Sequence, residues 1–579
     1  MPNMIQNAKD SVSQILNAAY QKAAEKGQLP AGAALSGTVE IPKDTANGDF
    51  AANHAMAGAK ALHMAPRKIA ETLIANADLA DTWFASVEVA GPGFINFRLA
   101  DRWYADVLQA VTQEGADYGR SDIGHGQKVM VEFVSANPTG PMHMGNARGG
   151  VLGDALASVL DRAGYQVWRE FYVNDAGNQI EKFANSIDAR YQQLLLGEDQ
   201  VAFPEDGYHG DDIKDLAQLF YEAEGDKYLT VPVAERHQAM AEFGLRRNIP
   251  KMQEDLRRYG IEYDQWFFES TLHESGYVAD SVQKLTDRGY TYEKDGALWL
   301  KTSQILTEQL LKSGKKQEEI DKLELKDDVL RRANGFYTYF AADIAYHRNK
   351  LEERGFDKVI NVWGADHHGH VARLKGAMDA LGLDGEHRLD IVLMQLVKLT
   401  RNGEVVRMSK RTGKAISLTD LLDEIPVDAA RYFFNSRPES PVEFDLELAI
   451  RQDSENPVYY VQYAHARICT LLSALAAEGH TVPASADASL LSTAEEKELI
   501  KQLAALPEEI RLAARDYDPS RVNRYVTELA ARFHRFYTVC RIKGAESEVQ
   551  AARLLLADCV RRVIAVSLNI IGVTAPEKM

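Results

Sequence analysis

A lone histidine, His143, lies in the turn NPTGPMHMGN, where hardly any other residue is charged. The run before it, KVMVEFVSA, is predicted to be a buried strand, and the run after it, GGVLGDALASVLDRAG, a helix. Ligands of α/β sheets bind at the carboxyl ends of the strands. Helix amides and Gly145 would let phosphate oxygens approach, and an imidazole could donate to a phosphate that gains charge in a transition state. The alternative is a structural loop histidine.

The second candidate is a basic loop, EVVRMSKRTGKAIS, at residues 404–417. Its cations are Arg407, Lys410, Arg411 and Lys414. A P-loop is excluded, because Gly413 and Lys414 are followed by alanine rather than by serine or threonine. Following the last strand of a sheet, such a loop could clamp a triphosphate. The alternative is a solvated surface loop.

A third segment, GADHHGH, has the residue types of a metal site: Asp366, His367, His368 and His370. Neighbours in so short a loop rarely converge on one ion. Contact with a nucleotide or a substrate is therefore the preferred interpretation. Structural histidines and a metal site are the alternatives.

Together, HMGN and RMSKR resemble HIGH and KMSKS, the two signatures of the class I aminoacyl-tRNA synthetases. Both occur in the family's order, with an inserted domain between them and a helical bundle after them. Asn146 replaces the final histidine and cannot carry charge, and Arg407 replaces the first lysine, while Lys410 is retained.

Over nearly its whole length the chain is more closely similar to the arginyl-tRNA synthetases of bacterial type. The matching segments are VEFVSANPTGPMHMGNARGG, YVNDAGNQI, GFYTYFAADIAYH, WGADHHGHVARLKGAM, VRMSKRTG, NPVYYVQYAHARI and the final APEKM. This resemblance implies a ligase that activates L-arginine with ATP to arginyl-adenylate and transfers it to the 3′ end of tRNA(Arg), releasing AMP and pyrophosphate. It also implies ATP with Mg²⁺, no structural metal, a monomer, and activation that requires bound tRNA.

The resemblance assigns residues to each role. The catalytic residues are His143, Asn146 and Lys410. The ATP-binding residues are Pro138, His143, Gly145, Asn146, Asp366, His370, Arg407, Met408, Ser409 and Lys410. The arginine-binding residues are Glu132, Ser135, Asn137, Tyr339, Asp343 and His367, with Ser135 and Asn137 at the substrate's α-amino and carboxylate groups. The tRNA-binding residues are Phe50 and Asn53 in the N-terminal domain, and Tyr460, Tyr463 and Met579 at the C-terminal end.

The chemistry of a guanidinium supports the arginine assignment independently. This planar, permanently charged group is best held by carboxylates. Glu132 ends the strand before His143, while Tyr339 and Asp343 are four residues apart and so share a helix face. Tyr339 could stack on the guanidinium or hydrogen-bond it, and Asp343 could pair with it. The alternative for Glu132 is a strand-end charge paired with a structural arginine.

Three units are predicted to position these residues. Residues 1–115 form an N-terminal α+β domain with a helix over 4–26, and the resemblance implies that this domain contacts tRNA. Residues 116–435 form the catalytic domain, a Rossmann-like, doubly wound parallel α/β sheet with an insertion at about 185–290; LDIVLMQLVKL is predicted as its fourth strand. After about residue 436 strand patterns end, and residues 436–579 form an all-α helical bundle, which the resemblance identifies as the anticodon-binding domain.

Composition bounds the class of protein. The 579 residues carry 66 lysines and arginines against 84 aspartates and glutamates, a net charge of −18, so any RNA must bind a local basic patch. Three cysteines without metal-site spacing fit a reducing compartment. Neither a signal peptide nor a membrane-spanning apolar run is recognisable, so a cytoplasmic location is expected.

Three alternative functions differ in testable ways. The first is a class I synthetase of another specificity. The acidic residues of the candidate pocket argue against it, and the zinc ligands that a cysteine-specific relative uses are missing from this sequence. A nucleotidyltransferase acting on a small acid would not need the aromatic and basic bundle. A non-catalytic RNA-binding relative conflicts with the presence of both His143 and Lys410.

Overall fold

The computed structural model describes residues 3–33, 35–406, 416–436 and 438–579. Its N-terminal unit contains α1 (Met4–Glu25), β1 (Val39–Glu40), β2 (Phe50–Ala52), α2 (His54–Leu62), α3 (Pro66–Asn76), β3 (Phe84–Ala90), β4 (Phe94–Leu99) and α4 (Asp101–Glu114). The strands form an antiparallel sheet in the order β1-β2-β4-β3. The predicted first helix is confirmed: Val12 and Leu16, one turn apart, are fully buried, and the Asn3 side chain caps the helix by accepting from the Gln6 amide.

The catalytic unit begins with β5 (Lys128–Glu132), α5 (Met144–Arg162), β6 (Gln166–Val173), α6 (Asn178–Leu196), α7 (Asp211–Glu224), α8 (Val233–Arg258) and β7 (Gln265–Phe268). It continues with α9 (Ser270–Glu274), α10 (Tyr277–Asp287), β8 (Thr291–Lys294), β9 (Ala297–Leu300), α11 (Thr302–Lys312), α12 (Gln317–Asp321), β10 (Asp328–Arg331), α13 (Tyr339–Arg348), β11 (Lys358–Gly364), α14 (His368–Ala380), α15 (Gly385–Arg388) and β12 (Leu389–Met394).

The predicted doubly wound α/β sheet is confirmed. All neighbours in the order β12-β11-β5-β6-β7 are parallel. The order reverses direction at β5, which is the kind of switch point where α/β proteins bind ligands. The edge strand β7 lies within the segment 185–290, so that segment contributes a strand to the sheet.

Two predictions about strands are wrong. LDIVLMQLVKL is not one strand, because β12 ends at Met394 and a separate strand, β13 (Val397–Arg401), begins a second small sheet. The elements that follow β13 are β14 (Glu404–Val405), α16 (Leu418–Glu424), α17 (Val427–Phe434), β15 (Val442–Asp445) and α18 (Leu446–Ile450). Because β15 lies beyond residue 436, strands do not end there as predicted. The short VEFD strand β15 pairs in parallel with β13, a partner that is distant in sequence.

The predicted C-terminal helical bundle is confirmed. Its helices are α19 (Pro457–Ala477), α20 (Ala494–Asp516), α21 (Ser520–Val539) and α22 (Ser547–Ile570). Their buried faces join a hydrophobic core that runs continuously into the N-terminal unit and the sheet. Among the described residues, no helix is both long enough and apolar enough to cross a membrane.

Candidate active site

A cavity of about 750 Å³ opens at the carboxyl ends of β5, β6, β11 and β12. Its lining includes most of the predicted arginine-binding residues and several of the predicted ATP-binding residues: Glu132, Ser135, Gly145, Asn146, Asp343, Asp366, His367 and His370. Tyr172, Asn174, Tyr346, His347, Trp363 and Arg373 also line it. The geometry therefore gathers residues that are more than 200 positions apart at the sheet edge where α/β proteins bind ligands.

The turn between β5 and α5 is held in a strained shape. Val134 and Ser135 have φ angles of 70° and 42°, a left-handed conformation that β-branched side chains rarely adopt. Such residues cost of order 1–3 kcal/mol each and persist only where their surroundings fix them. The Ser135 hydroxyl does so by donating to Glu132 Oε1 at 2.8 Å and accepting from the Tyr172 amide at 3.1 Å.

His143 is the N-cap residue of α5, and its imidazole is exposed. Its amide donates to Asn146 Oδ1 at 2.9 Å, so the residue that replaces the final histidine of the signature stabilises the start of the helix. Gly145 lines the cavity, and a Cβ added there would meet no protein atom within 4 Å. His143 does not line the cavity itself; it lies one helical turn from Asn146, which does.

The flanks of the two signature segments lie next to each other. His143 forms an antiparallel bridge with Ser417, and the Leu418 amide donates to the Met142 carbonyl at 2.9 Å. Arg407, Met408, Ser409 and Lys410 lie outside the described residues. The described residues that flank them are β14 on one side and Ser417, beside His143, on the other.

Glu132 is buried, with an exposed fraction of 5%, and both of its oxygens have protein partners. Oε1 accepts from Ser135, and Oε2 is 2.5 Å from the ammonium of Lys350, which is completely buried. Lys350 also donates to Asn361 Oδ1 at 3.3 Å and lies 4.0 Å from the centroid of the Tyr346 ring. The cation paired with Glu132 is thus a lysine, placed by the π-helical turn Asn349–Glu353 that follows α13.

Asp343 is held by a histidine. Its Oδ2 accepts from His370 Nε2 at 2.9 Å, and His370 Nδ1 is 3.3 Å from a guanidinium nitrogen of Arg373. Because arginine can only donate, His370 is arranged with Nδ1 as acceptor and Nε2 as donor. Arg373 is in turn neutralised by Asp328 at 2.6 Å. His370, expected beside ATP, is therefore occupied on both ring nitrogens by protein groups.

A second histidine connects Asp343 with the Glu132 cluster. His347 Nδ1 donates to the Asp343 carbonyl at 2.8 Å, and Asn361 donates to His347 Nε2 at 2.7 Å. Burial, with the nearby charge of Lys350, lowers the pKa of His347 well below its usual value. The imidazole is accordingly neutral, and a chain of hydrogen bonds links the backbone of Asp343 through His347, Asn361 and Lys350 to the carboxylate of Glu132.

The remaining predicted residues are more exposed. Tyr339 begins α13 one turn before Asp343 and is 43% exposed, while Asn137 is exposed and Pro138 is buried. Asp366, His367 and His368 are also exposed, and His367 packs against Trp363. Across the described residues, no group of three or more histidine, cysteine or acidic side chains is arranged to hold a metal ion.

One buried carboxylate, which bonds the cavity-lining residue Tyr172, was missed in the sequence. Glu269 follows β7 directly, is 4% exposed, and accepts from the Tyr172 hydroxyl at 2.8 Å. Burial and the carboxylates of Glu269, Asp343 and Glu132 together raise the pKa of Tyr172 well above its usual value. The available signal was an acidic residue directly after the aromatic run QWFF, at the carboxyl end of a strand that was not recognised.

The C-terminal bundle presents aromatic rings on the adjacent helices α19 and α21. Tyr463 is 42% exposed, and its ring is nearly parallel to that of Tyr459, with a centroid distance of 6.1 Å. Tyr460 is half-buried against His534, while the Arg467 guanidinium lies 4.1 Å from the Tyr537 ring centroid. The chain terminus returns to the same helix: His465 bonds the Pro576 carbonyl at 2.9 Å, and Met579 is 53% exposed.

The predicted residues of the N-terminal domain are less accessible. Phe50 is 2% exposed and packs edge-on against Phe84 in the domain core. The side-chain amide of Asn53 is occupied by Thr38, accepting from its backbone at 2.7 Å and donating to its hydroxyl at 2.8 Å. The Phe50 ring is therefore not available for stacking on an RNA base in this structure.

Comparison with known proteins gives the same relatives along the whole chain. Three family models match: "Arginyl tRNA synthetase N terminal domain" at residues 6–99, "tRNA synthetases class I (R), catalytic domain" at 107–443 and "DALR anticodon binding domain" at 461–579. The chain is 54% identical to an arginine–tRNA ligase of Caldanaerobacter subterraneus subsp. tengcongensis and 51% identical to one of Acetivibrio thermocellus, in each case covering 100% of both chains. Thermus thermophilus arginyl-tRNA synthetase shares its fold, with a TM-score of 0.73 and 21% identity over 99% of this chain and 100% of that one.

Proposed function

The chain belongs to the arginyl-tRNA synthetase family, and from that premise we propose how its residues divide the reaction. The enzyme is a ligase that activates L-arginine with ATP to arginyl-adenylate and transfers the arginyl group to tRNA(Arg), releasing pyrophosphate and AMP. The arginine carboxylate attacks the α-phosphate, and the terminal adenosine of the tRNA then attacks the adenylate. Neither step needs a covalent protein nucleophile, so the protein contributes alignment and charge stabilisation.

The arginine side chain binds at the acidic end of the cavity. Asp343 has one oxygen free of His370 and pairs with the guanidinium, while Tyr339, one turn earlier, stacks on it or hydrogen-bonds it. Glu269 adds a second buried carboxylate near Tyr172. The observation that carries this proposal is the position of Asp343 in the cavity lining, with its Oδ2 fixed by His370, because a carboxylate oriented in this way selects a cation.

The α-amino and carboxylate groups bind on the strained turn. Glu132 and Ser135 are locked together at its start and face the α-ammonium, while Asn137 and the exposed His367 border the carboxylate. Placing these groups at the end of β5 directs the substrate carboxylate toward the N-terminus of α5, where the helix amides favour phosphate.

ATP binds at the start of α5 with its α-phosphate near His143. The space beside Gly145 accommodates the nucleotide, with Pro138, Asn146 and Asp366 around it, while His370 acts by holding Asp343. Lys410, with Arg407, Met408 and Ser409, stabilises the leaving pyrophosphate. Ser417, which follows these residues in the chain, lies beside His143 and supports this assignment. ATP enters as its Mg²⁺ complex, because magnesium is the usual counter-ion of its phosphates.

The tRNA is bound by both ends of the chain. The anticodon contacts Tyr460, Tyr463 and Met579, since exposed aromatic rings with an adjacent arginine stack on unpaired bases. Asn53 marks the N-terminal contact, and Phe50 acts only as support from the core. The functional units are the N-terminal tRNA-contacting domain at residues 1–115, the catalytic domain at 116–435 and the anticodon-binding domain at 436–579. The enzyme acts as a monomer in the cytoplasm.

Pyrophosphate exchange tests this proposal. Purified enzyme is assayed with ATP and each of the twenty amino acids, with and without unfractionated tRNA. We expect exchange with arginine alone, and only when tRNA is present. Exchange with a different amino acid would contradict the acidic pocket, and tRNA-independent exchange would contradict the coupling between tRNA binding and activation.

A further inference from the structure

The insertion helix α8 contacts the supports of both signature segments. Near its middle, the Asn248 side-chain amide donates to the Pro138 carbonyl at 2.8 Å, in the turn that leads to His143. At its C-terminal end, Arg258 donates to the Leu422 carbonyl at 2.7 Å and pairs with Asp423 at 2.8 Å. Leu422 and Asp423 belong to α16, the helix that directly follows the second signature segment.

The turn that Asn248 contacts needs external support. Val134 and Ser135, at its beginning, are in the left-handed region, and a strained backbone keeps its shape only when its surroundings fix it. Glu132 and Tyr172 fix the first half through Ser135. In the second half, Pro138 is buried, and its carbonyl accepts a hydrogen bond from outside the sheet, from the insertion.

The same turn meets α16 directly. The Leu418 amide donates to the Met142 carbonyl, and Ser417 pairs with His143. A shift of α16 would therefore move the end of the turn, and α8 limits that shift through Arg258. The turn, α8 and α16 therefore each contact the other two, and α8 is the element that the insertion contributes.

We propose that α8 is a strut that holds the ATP-binding turn and α16 in register, and that Asn248 and Arg258 are positioning residues for arginine activation. The proposal rests on the function assigned above. Neither side chain touches a proposed substrate; Asn248 acts through Pro138, and Arg258 acts through α16. Their loss should affect the step with ATP and leave the anticodon surface intact.

The test uses full-length enzyme and compares matched variants. Asn248→Asp keeps the size of the side chain but cannot donate to the Pro138 carbonyl, and Arg258→Met removes both contacts with α16, whereas Arg258→Lys retains a donor. The control is Gln238→Ala, which removes an exposed amide of the same helix that bonds only Glu242 within α8. For each variant, kcat and KM for ATP in arginine-dependent pyrophosphate exchange, the Kd for tRNA and the urea unfolding midpoint are measured.

We expect Asn248→Asp and Arg258→Met each to lower kcat/KM for ATP by about three- to tenfold, because a net hydrogen bond is worth about 1 kcal/mol and an exposed ion pair adds little to it. Arg258→Lys and Gln238→Ala should match the wild type, and the tRNA Kd should be unchanged throughout. Wild-type ATP kinetics in folded Asn248→Asp would overturn the proposal, as would a parallel loss of tRNA affinity. If Asn248→Asp does not fold, equal ATP kinetics for Arg258→Met and Arg258→Lys would overturn it. Absence of exchange in the wild type would instead contradict the proposed function.

Discussion

The cavity and the C-terminal aromatic surface use their polar and aromatic groups in opposite ways. In the cavity, Glu132, Asp343 and His370 each have a fixed protein partner within 3 Å. On the bundle, Tyr463 is 42% exposed, and its ring lies nearly parallel to that of Tyr459. Chemistry on a small substrate requires groups that are oriented before it arrives. Stacking on an RNA base requires an accessible flat surface instead.

The elements beneath the two regions differ accordingly. The cavity is built at strand ends, on a turn that includes left-handed Val134 and Ser135, and it is closed by hydrogen bonds between distant segments. The aromatic surface is built on successive turns of α19, where Tyr459 and Tyr463 are neighbours by helix geometry alone. Substitutions in the cavity should therefore change activity by altering the positions and charges of its side chains. Substitutions on the bundle should change tRNA affinity by altering the area of contact with RNA.

The largest expected effect is that of His143→Ala. Removing a donor from a charge that develops in the transition state should lower kcat for pyrophosphate exchange by about 10²–10³. The cap of α5 should persist, because the backbone amide of residue 143, which the substitution keeps, donates the capping hydrogen bond to the Asn146 side chain. Affinity for tRNA, measured by filter binding, should not change. A comparable fall in tRNA affinity would remove the distinction between the two regions.

A smaller effect is expected for Asp343→Asn. The amide oxygen can still accept from His370, so the geometry is kept while the negative charge is lost. Losing a charge-assisted hydrogen bond to the guanidinium should lower kcat/KM for arginine by about 10- to 100-fold, mainly through KM. The KM for ATP is the internal control. An equal rise in both KM values would mean that Asp343 supports the cavity rather than recognising arginine.

Local patterns in the sequence predicted most helices and strands, but they could not predict contacts between segments that are distant in the chain. Helix periodicity predicted α1 and the bundle, and the apolar run before His143 predicted β5, because these signals are local. The strand β15 was missed, since four residues have no periodicity of their own and the strand exists through pairing with β13. Tertiary pairing of this kind overrides local propensity.

The same distinction applies to the site. Residues within recognisable motifs, such as Glu132 and Asp343, were predicted and line one cavity. Lys350 could not be predicted as the partner of Glu132, because it is buried only by the π-helical turn after α13. Nor could Asn248, whose role depends on the packing of the insertion against a turn more than 100 residues earlier in the chain.

Of the three substitutions that compare the two regions, Tyr463→Ala should have the smallest effect, and it sharpens the comparison most. Loss of one stacking surface should weaken tRNA binding about tenfold. Tyr463→Phe keeps the ring and should bind like the wild type. Kd is measured by filter binding with tRNA(Arg), and arginine kcat/KM is measured at saturating tRNA, where it should be unchanged. Because Tyr463 lies on an exposed helix face, the unfolding midpoint should also be unchanged. If Tyr463→Phe were as weak as Tyr463→Ala, the hydroxyl rather than the ring would be the binding group. The bundle would then recognise RNA by directed polar bonds, as the cavity is proposed to recognise arginine.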